Sequence, residues 1–196
     1  MPISTDDRHR PGRLGAGRTE NYPNDRVQTN VRQMLLIVVV GLVIVYYGTN
    51  ALSAQDWIWF WRGFSEQPAR IVLYREGRQT EWLPGRPGFA EVATGVVTAL
   101  DQGTVRGSAM GLSEGSLEDA YKQYTTLEVF FDHPVKLHAF VNTGHPTQML
   151  IPLSGRHAET QVVFLGKDGK YMSNGPLLKT LEPIRTALQA LGYLTS

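Results

Sequence analysis

The sequence contains no cysteine among its 196 residues. Disulfide bridges, thiol nucleophiles and cysteine-ligated zinc or iron–sulfur clusters are therefore excluded. The chain also lacks a basic excess, because 19 Lys and Arg residues oppose 18 Asp and Glu residues and the formal net charge is +1. Proteins that bind nucleic acid usually carry a basic excess, so no nucleic-acid partner is expected.

Phosphate-binding motifs are missing as well. The sequence has no G-x-x-x-x-G-K-[ST] loop and no G-x-G-x-x-G motif after a predicted strand, and these are the glycine-rich patterns that hold nucleotide phosphates. No local spacing singles out a pair of carboxylates for acid–base catalysis. We therefore expect no cofactor, and the remaining candidates for catalysis depend on weaker patterns.

One long uncharged stretch is the strongest feature present. It lies between Arg32 and Asp56, and its most apolar part, residues 34–47, reads MLLIVVVGLVIVYY. A helix of about 20 residues rises roughly 30 Å, the thickness of the hydrocarbon core of a bilayer. The sequence therefore predicts a single transmembrane helix over residues 32–55, with the lipid bilayer as its partner.

Two alternatives to a permanent anchor remain open. A cleaved signal peptide has an apolar core of 7–15 residues, and Ala51 and Ser53 supply small residues at the −3 and −1 positions of a cleavage site. Against cleavage, the segment before the apolar run is long for a signal peptide. A buried core helix is the other alternative, but a helix that is apolar on all sides needs a larger protein around it.

The arginines flanking the span predict its orientation. Residues 13–32 carry four, and residues 53–72 carry two, which are Arg13, Arg18, Arg26 and Arg32 against Arg62 and Arg70. Positive charge is retained on the cytoplasmic side. We therefore predict a single-pass protein of the cell membrane, with a cytoplasmic N-terminus and an extracytoplasmic C-terminal domain. Residues 1–31 are poor in apolar side chains and are predicted to be a disordered cytoplasmic tail.

Aromatic side chains crowd the C-terminal end of the span and residues 56–68. Indole and phenol rings favour the boundary between lipid and water. The pattern predicts an aromatic collar and linker at the membrane interface, and a buried aromatic segment of the next domain is the alternative. The residues predicted at this interface are Tyr46, Tyr47, Trp57, Trp59, Phe60, Trp61 and Phe64.

Residues 69–196 are predicted to form an extracytoplasmic α+β domain. We expect a mostly antiparallel sheet of about five or six strands with two to three helices packed on it. Strands are predicted at 70–76, 79–83, 127–131, 135–141, 149–153 and 161–165, and residues 167–170 predict a hairpin turn. Strict alternation of apolar and polar residues in 127–131 and 135–141 indicates a sheet with one buried face.

Three helices are predicted in this domain. Residues 89–100 place apolar side chains along one face, and Gly95 within them suggests close approach to the sheet. Ser116 resembles the N-cap of a short helix over residues 117–124. A last helix is predicted to begin at Gly175-Pro176, with Pro183 kinking or dividing it.

Ser113 is the one candidate catalytic nucleophile. Residues 111–115, GLSEG, match the G-x-S-x-G elbow that exposes a serine between a strand and a helix. The preceding residues GTVRGSAM predict a poor strand, so the required context is missing. A helix cap in a loop is the competing interpretation.

Four of the five histidines lie between residues 133 and 157, and they are the candidate metal ligands. None of their spacings is a ligand motif such as H-E-x-x-H. Solvent-exposed and turn positions are the competing interpretation. The four are His133, His138, His145 and His157.

These observations favour a membrane-anchored binding or accessory domain without catalytic activity, and a protein partner in a membrane complex is possible for it. A membrane-tethered hydrolase that uses Ser113 or a histidine-bound metal is the alternative. A small-ligand sensor or carrier domain is a further alternative, which a cavity beside the sheet would favour.

Overall fold

The computed structural model describes residues 30–110, 112–172 and 174–194. Four helices and eight strands follow one another in these residues. In chain order they are α1 Val31–Ala54, β1 Arg70–Arg75, β2 Arg78–Trp82, α2 Phe89–Asp101, β3 Thr104–Met110, α3 Glu114–Lys122, β4 Thr125–Phe130, β5 Gln148–Pro152, β6 Phe164–Lys167, β7 Lys170–Tyr171, β8 Asn174–Leu178 and α4 Glu182–Ala190.

The predicted α+β class is confirmed. Six strands form one antiparallel sheet in the order β2-β1-β4-β5-β6-β7, and β3 pairs with β8 in a second, two-stranded sheet. Three helices, α2 to α4, accompany the strands after α1. The predicted turn at residues 167–170 joins β6 to β7, and Asp168 and Gly169 both have positive φ angles there, as a tight hairpin turn requires.

Helix α1 is the one helix of the described residues that is long and apolar enough to cross a membrane, with a hydropathy of 2.2 over its best window. A signal sequence near an N-terminus has the same length and composition. The chain divides within α1, after Gly41, into two units. The predicted disordered tail lies outside the described residues except for residues 30 and 31.

The first face of the six-stranded sheet is apolar. Strands β1, β4, β5 and β6 contribute aliphatic side chains to it, and helices α2 and α4 cover them with aliphatic side chains of their own. Burial of such side chains stabilises a fold by about 1.5–3 kcal/mol each. The fully buried strand residues are Ile71, Leu73, Leu127, Val129, Met149, Ile151 and Leu165, and the helices add Val92, Val96, Leu100, Ile184 and Leu188.

The second face carries a smaller apolar cluster. Leu150 and Phe164 of the large sheet pack there with Val162, with Ala120 of α3 and with side chains of the two-stranded sheet. Leu127 and Val129 point to the first face, so Thr126 and Glu128 point to this one. Both are buried. The expectation that β4 has only one buried face is therefore wrong, because α3 covers the side that alternation assigned to solvent.

Helix α2 matches its prediction, but the explanation given for Gly95 was wrong. A Cβ atom at Gly95 would lie 2.7 Å from the carbonyl oxygen of Pro183 and 3.1 Å from the Cβ atom of Ala187. The glycine therefore permits close approach of α4 and not of the sheet. Helix α4 covers the first face beside α2.

The predicted start of the last helix was wrong. Gly175 and Pro176 lie in β8, and α4 begins at Glu182 with Pro183 in its first turn. Proline is tolerated at that position because the first N–H groups of a helix have no intrahelical acceptor. Pro183 therefore starts α4 and does not kink it.

Gly175 lies where β8 meets β6. A Cβ atom on this residue would come within 2.1 Å of the Val163 carbonyl oxygen, and the Val163 N–H donates a hydrogen bond of 3.0 Å to the Pro176 carbonyl. No side chain fits in that space. At this point the two-stranded sheet contacts the large sheet through backbone atoms, in addition to the side-chain packing of the smaller apolar cluster.

Residues 135–141 do not form the predicted strand. Val135, Leu137 and Ala139 are buried and Lys136 is exposed, so the alternation correctly reported which side chains face the interior. However, the segment pairs with no strand of the described residues. The N–H of Val135 donates instead to the backbone carbonyl of Pro146, and the Thr143 hydroxyl donates to the backbone carbonyl of Leu137. Alternation shows that a chain is extended with one side buried, and it does not show what accepts its hydrogen bonds.

Candidate functional site

Ser113 caps a helix. Its Oγ atom accepts a hydrogen bond of 3.2 Å from the Ser116 N–H and lies 2.8 Å from the Ser116 hydroxyl oxygen. The N-cap is therefore Ser113. The prediction that Ser116 is the N-cap was wrong. A strand, β3, does precede it, contrary to expectation. Among the described residues, no histidine or carboxylate hydrogen-bonds to Ser113, so nothing in this geometry would activate its hydroxyl.

The four histidines lie in different surroundings. His133 contacts Glu66 at the surface, with 3.0 Å between Nε2 and Oε2. His138 is bound to Asp56, and His145 is exposed with a φ angle of 73°. The ring of His157 packs edge-on against Phe164. In the part of the chain that the structure describes, no three His, Asp or Glu side chains are grouped as metal ligands would be.

The seven predicted interfacial aromatic residues differ in exposure, and one of them, Tyr47, is half-buried against Ala51, Ala54 and Trp59. Tyr46, Trp57, Phe60 and Trp61 are exposed, whereas Trp59 and Phe64 are buried. Trp59 stacks against Phe140, with ring centroids 4.6 Å apart, and Phe64 meets Phe131 at 5.8 Å. The buried pair thus belongs to the interior of the domain. A location at a membrane interface stays a prediction for the exposed members.

Asp56 joins the end of α1 to the loop that follows β4. Its carboxylate accepts hydrogen bonds from His138 Nδ1 at 2.5 Å and from the Ile58 N–H at 3.1 Å, and Lys136 Nζ lies 3.1 Å away. Burial alone would raise the pKa of Asp56, but the donors from His138, Ile58 and Lys136 outweigh it and hold the pKa below its usual value. Asp56 is therefore ionised at neutral pH.

Other contacts strengthen this junction. The Tyr47 hydroxyl donates to the Trp57 carbonyl, and the Asn142 amide donates to the Gln55 side chain at 2.9 Å. Ala51 and Ala54, on the last turns of α1, are buried with Trp59. The C-terminal turns of the helix are thus packed into the structure that follows them.

Glu128 forms the most unusual polar cluster of the domain. It lies in the centre of β4 with only 5% of its surface exposed. The hydroxyl groups of three tyrosines donate to its carboxylate: Tyr74 of β1 at 2.9 Å, Tyr121 of α3 at 3.0 Å, and Tyr171 of β7. No Lys or Arg side chain forms an ion pair with it within the described ranges. Phenolic donors therefore take the place of a counter-ion around a buried charge.

The same carboxylate raises the pKa of each tyrosine. Burial is the larger cause, and the negative charge of Glu128 adds to it, so the pKa of Tyr121 rises to about 12 and the pKa values of Tyr74 and Tyr171 rise further. All three phenols stay protonated at physiological pH and keep donating. The tyrosines of the cluster therefore keep one protonation state at physiological pH, and their hydrogen bonds join α3, β1 and β7 to β4.

A cavity of about 270 Å³ opens beside this cluster, between α3 and the C-terminal end of β5. Two buried polar atoms belong to its walls: the hydroxyl of Thr126, a fully buried residue, and the Nε2 atom of His157. Neither atom has a hydrogen-bond partner among the described residues. A buried polar group without a partner costs about 1–3 kcal/mol, and native folds rarely retain such groups without a reason.

The remaining walls combine opposite charges with a small apolar surface. Asp119 of α3 and Arg156 are the charged members, and neither forms an ion pair with any described residue. Burial lowers the pKa of His157, and the charge of Arg156 lowers it further, so this imidazole is neutral at neutral pH. The other residues that line the cavity are Leu112, Ser116, Ala120, Tyr124, Pro152 and Ser154.

The sequence did not point to either the cluster or the cavity. Glu128 was assigned to the solvent side of β4, and the tyrosines that bind it come from positions 7, 43 and 54 residues away. A charged residue within an otherwise apolar strand was the one available signal. Of the four candidate histidines, only His157 reaches the cavity.

Comparisons of this chain with protein-family models, with curated proteins and with solved structures find no match.

Proposed function

We propose that this chain is a single-pass membrane protein whose C-terminal domain is a non-catalytic binding or accessory module on the extracytoplasmic side. The observation that carries the proposal is the surface of α1. Over residues 34–45 its large aliphatic side chains are about half exposed or more, and only Ala51 and Ala54 of the whole helix are buried. A surface of this kind is stable in lipid and not in water.

The junction at Asp56 supports retention of the helix over its removal as a signal peptide. Cleavage after Ser53 would cut α1 and detach Ala51 from its contacts with Trp59. It would also leave Asp56, Lys136 and His138 beside a new chain end. A signal peptide is normally joined to the mature domain through a segment that the domain does not need.

Retention is tested by washing membranes with alkaline carbonate and by measuring the mass of the extracted protein. We expect the protein to stay in the membrane fraction with its full-length mass. A soluble product that begins at Ala54 would overturn the anchor and establish a signal peptide instead. Ala51→Leu, which spoils the −3 position of the candidate cleavage site, should change neither result.

Orientation has a clean test because the chain has no cysteine. We would introduce one cysteine at a time, as Glu159→Cys in the domain and Ser4→Cys in the tail, and treat intact cells with a membrane-impermeant maleimide. The domain variant should be labelled in intact cells, and the tail variant only after permeabilisation. The reverse pattern would refute an extracytoplasmic domain.

The second candidate function is that of a small-ligand sensor or carrier. The cavity beside Glu128 favours it, because its walls contain buried polar atoms that the chain itself leaves without partners. This candidate is compatible with anchoring, since it concerns what the domain binds and not where the domain is held. No described contact of Ser113 favours the hydrolase alternative.

A further inference from the structure

We propose that the cavity between α3 and the C-terminal end of β5 binds a small zwitterion of the α-amino acid type. The inference deepens the proposed function, since it rests on the domain being a binding module and names the ligand class. It does not depend on whether α1 is retained.

The size of the cavity sets the size of the ligand. Sites for drug-sized molecules enclose roughly 300–1,000 Å³, and this one encloses about 270 Å³. Thr126 lies at a fully buried position on β4, while Arg156 lies at an exposed one. The cavity therefore reaches from the surface to the sheet and holds a molecule of a few heavy atoms.

The polar atoms of the cavity that lack a partner determine the polarity of the ligand. The Thr126 hydroxyl both donates and accepts, and a neutral His157 offers a donor or an acceptor at Nε2 according to its tautomer. Ser154 Oγ accepts from the Thr125 N–H at 2.8 Å, so its own proton is free to donate. An apolar molecule would leave these groups unsatisfied, whereas a carboxylate would accept from them.

The two charged side chains of the cavity determine which charged groups the ligand carries. Asp119 and Arg156 line the same cavity and form no ion pair within the described ranges, and one oxygen of Asp119 accepts a hydrogen bond of 3.0 Å from the Gln123 amide. A guanidinium group recognises a carboxylate, and a carboxylate side chain recognises an ammonium group. A molecule that carries both groups satisfies both residues without a net charge. Leu112, Ala120 and Pro152 leave room for a small apolar side chain on it.

The experiment is calorimetric titration of the full-length protein in mild detergent. The probes are glycine, L-alanine and L-serine, compared with acetate and methylamine, which each carry one of the two charged groups. We expect at least one amino acid to bind at least tenfold more tightly than either half-molecule. No heat from any of the three amino acids at millimolar concentration would overturn the proposal, and so would equal affinity for acetate.

Two variants assign the binding to this cavity. Thr126→Val removes the buried hydroxyl with little change of shape, and Arg156→Gln removes an exposed charge that the fold does not use. Each should weaken amino-acid binding at least about tenfold, as expected for loss of one hydrogen bond to a charged group. Thr98→Val, on the exposed side of α2, is the matched control and should bind as the wild type does.

Unchanged affinity in both cavity variants would overturn the assignment. The carbonate wash, performed on membranes of the same cells before detergent extraction, separates this outcome from a failure of the proposed anchor. A protein that stays in the membrane but binds none of the amino acids refutes the ligand inference alone. A protein that binds an amino acid but is released from the membrane refutes the anchor alone.

Discussion

On the side of the sheet that α2 and α4 cover, the buried residues of β4 are Leu127 and Val129, whereas on the side that α3 covers they are Thr126 and Glu128. The first side is stabilised mainly by aliphatic packing, to which aromatic side chains such as Trp82 and Phe131 add. The second side contains a carboxylate held by three phenols, a hydroxyl without a partner, and a cavity. One strand thus serves two interiors with different chemistry.

The difference supports the proposed location of the binding site in this domain. Aliphatic packing needs only volume and shape, so the first side supplies stability and a rigid support. Buried polar groups cost free energy unless each is satisfied. On the second side, the Thr126 hydroxyl has no hydrogen-bond partner among the described residues, whereas the Glu128 carboxylate is satisfied by three phenols. This combination is expected for a binding surface on a stable support.

The largest effect should come from a cavity on the aliphatic side. Ile151→Ala removes a fully buried side chain of β5, and we expect a loss of about 4 kcal/mol, near the top of the range for such truncations. Urea unfolding of the full-length protein in detergent measures it. Amino-acid binding should survive below the unfolding transition, and a loss under 1 kcal/mol would contradict the assignment of stability to this side.

A second effect comes from high pH and concerns the polar side. The pKa values of Tyr74, Tyr121 and Tyr171 are raised above the ordinary 10.0, so their stabilising contribution is complete below pH 10. It is lost as the pH rises through the folded-state pKa values, because the unfolded chain releases these protons first.

Stability should therefore fall steeply between pH 10 and pH 12. Each tyrosine contributes up to about 1.4 kcal/mol per pH unit, less where solvent screens its hydroxyl. The absorbance of ionised tyrosine near 295 nm provides the measurement, because three of the eight tyrosines should titrate only together with unfolding. A smooth titration of all eight near pH 10 would disprove the cluster.

Glu128→Gln should have a smaller effect on the same side. The amide keeps the shape, but it offers one acceptor oxygen where the carboxylate offers two and it carries no charge. We expect a loss of about 2 kcal/mol, because at least one phenol is left without an acceptor. Thermal unfolding at pH 7 measures this loss. The control is Glu118→Gln, because Glu118 forms an exposed ion pair with Lys122. An unchanged melting temperature would contradict a stabilising role for Glu128.

The smallest effect should have the opposite sign. Thr126→Val replaces a buried hydroxyl that has no partner in the described residues by a methyl group, so the free energy of unfolding should stay equal or rise by up to about 1 kcal/mol. Thr143→Val is the matched comparison, since the Thr143 hydroxyl donates to Leu137 at 2.9 Å and its loss should destabilise. Equal destabilisation by both variants would show that Thr126 has a partner within the protein.

The aliphatic side could be predicted from the sequence, and the polar side could not. Helix α2 has the i, i+3, i+4 spacing that reports its buried face directly, and β1 is apolar on both sides as a covered strand should be. Such patterns are local. The burial of Glu128 depends on α3 covering a face that alternation alone leaves open, and its partners come from three separate elements.

The errors at the C-terminal end have a similar cause. Gly175-Pro176 carries the local signature of a helix start, yet both residues lie in β8, because Gly175 pairs with Ala109 and Pro176 with Ser108 of β3. The Val163 N–H adds a hydrogen bond to the Pro176 carbonyl. Pro183, which was expected to interrupt a helix, stands where a helix begins. Local propensity correctly associated proline with a helix start. Long-range strand pairing placed Pro176 in a strand and left Pro183 to begin the helix.

Gly175 has a consequence for the descent of this fold. Because a Cβ atom there would meet the Val163 carbonyl oxygen at 2.1 Å, mutation to any other residue should be removed by selection for as long as the two sheets stay together. We expect charge, surface and ligand to vary more freely than this position. A glycine in the strand before the last helix, opposite a paired backbone carbonyl, is therefore the mark by which a remote relative of this domain should be recognised.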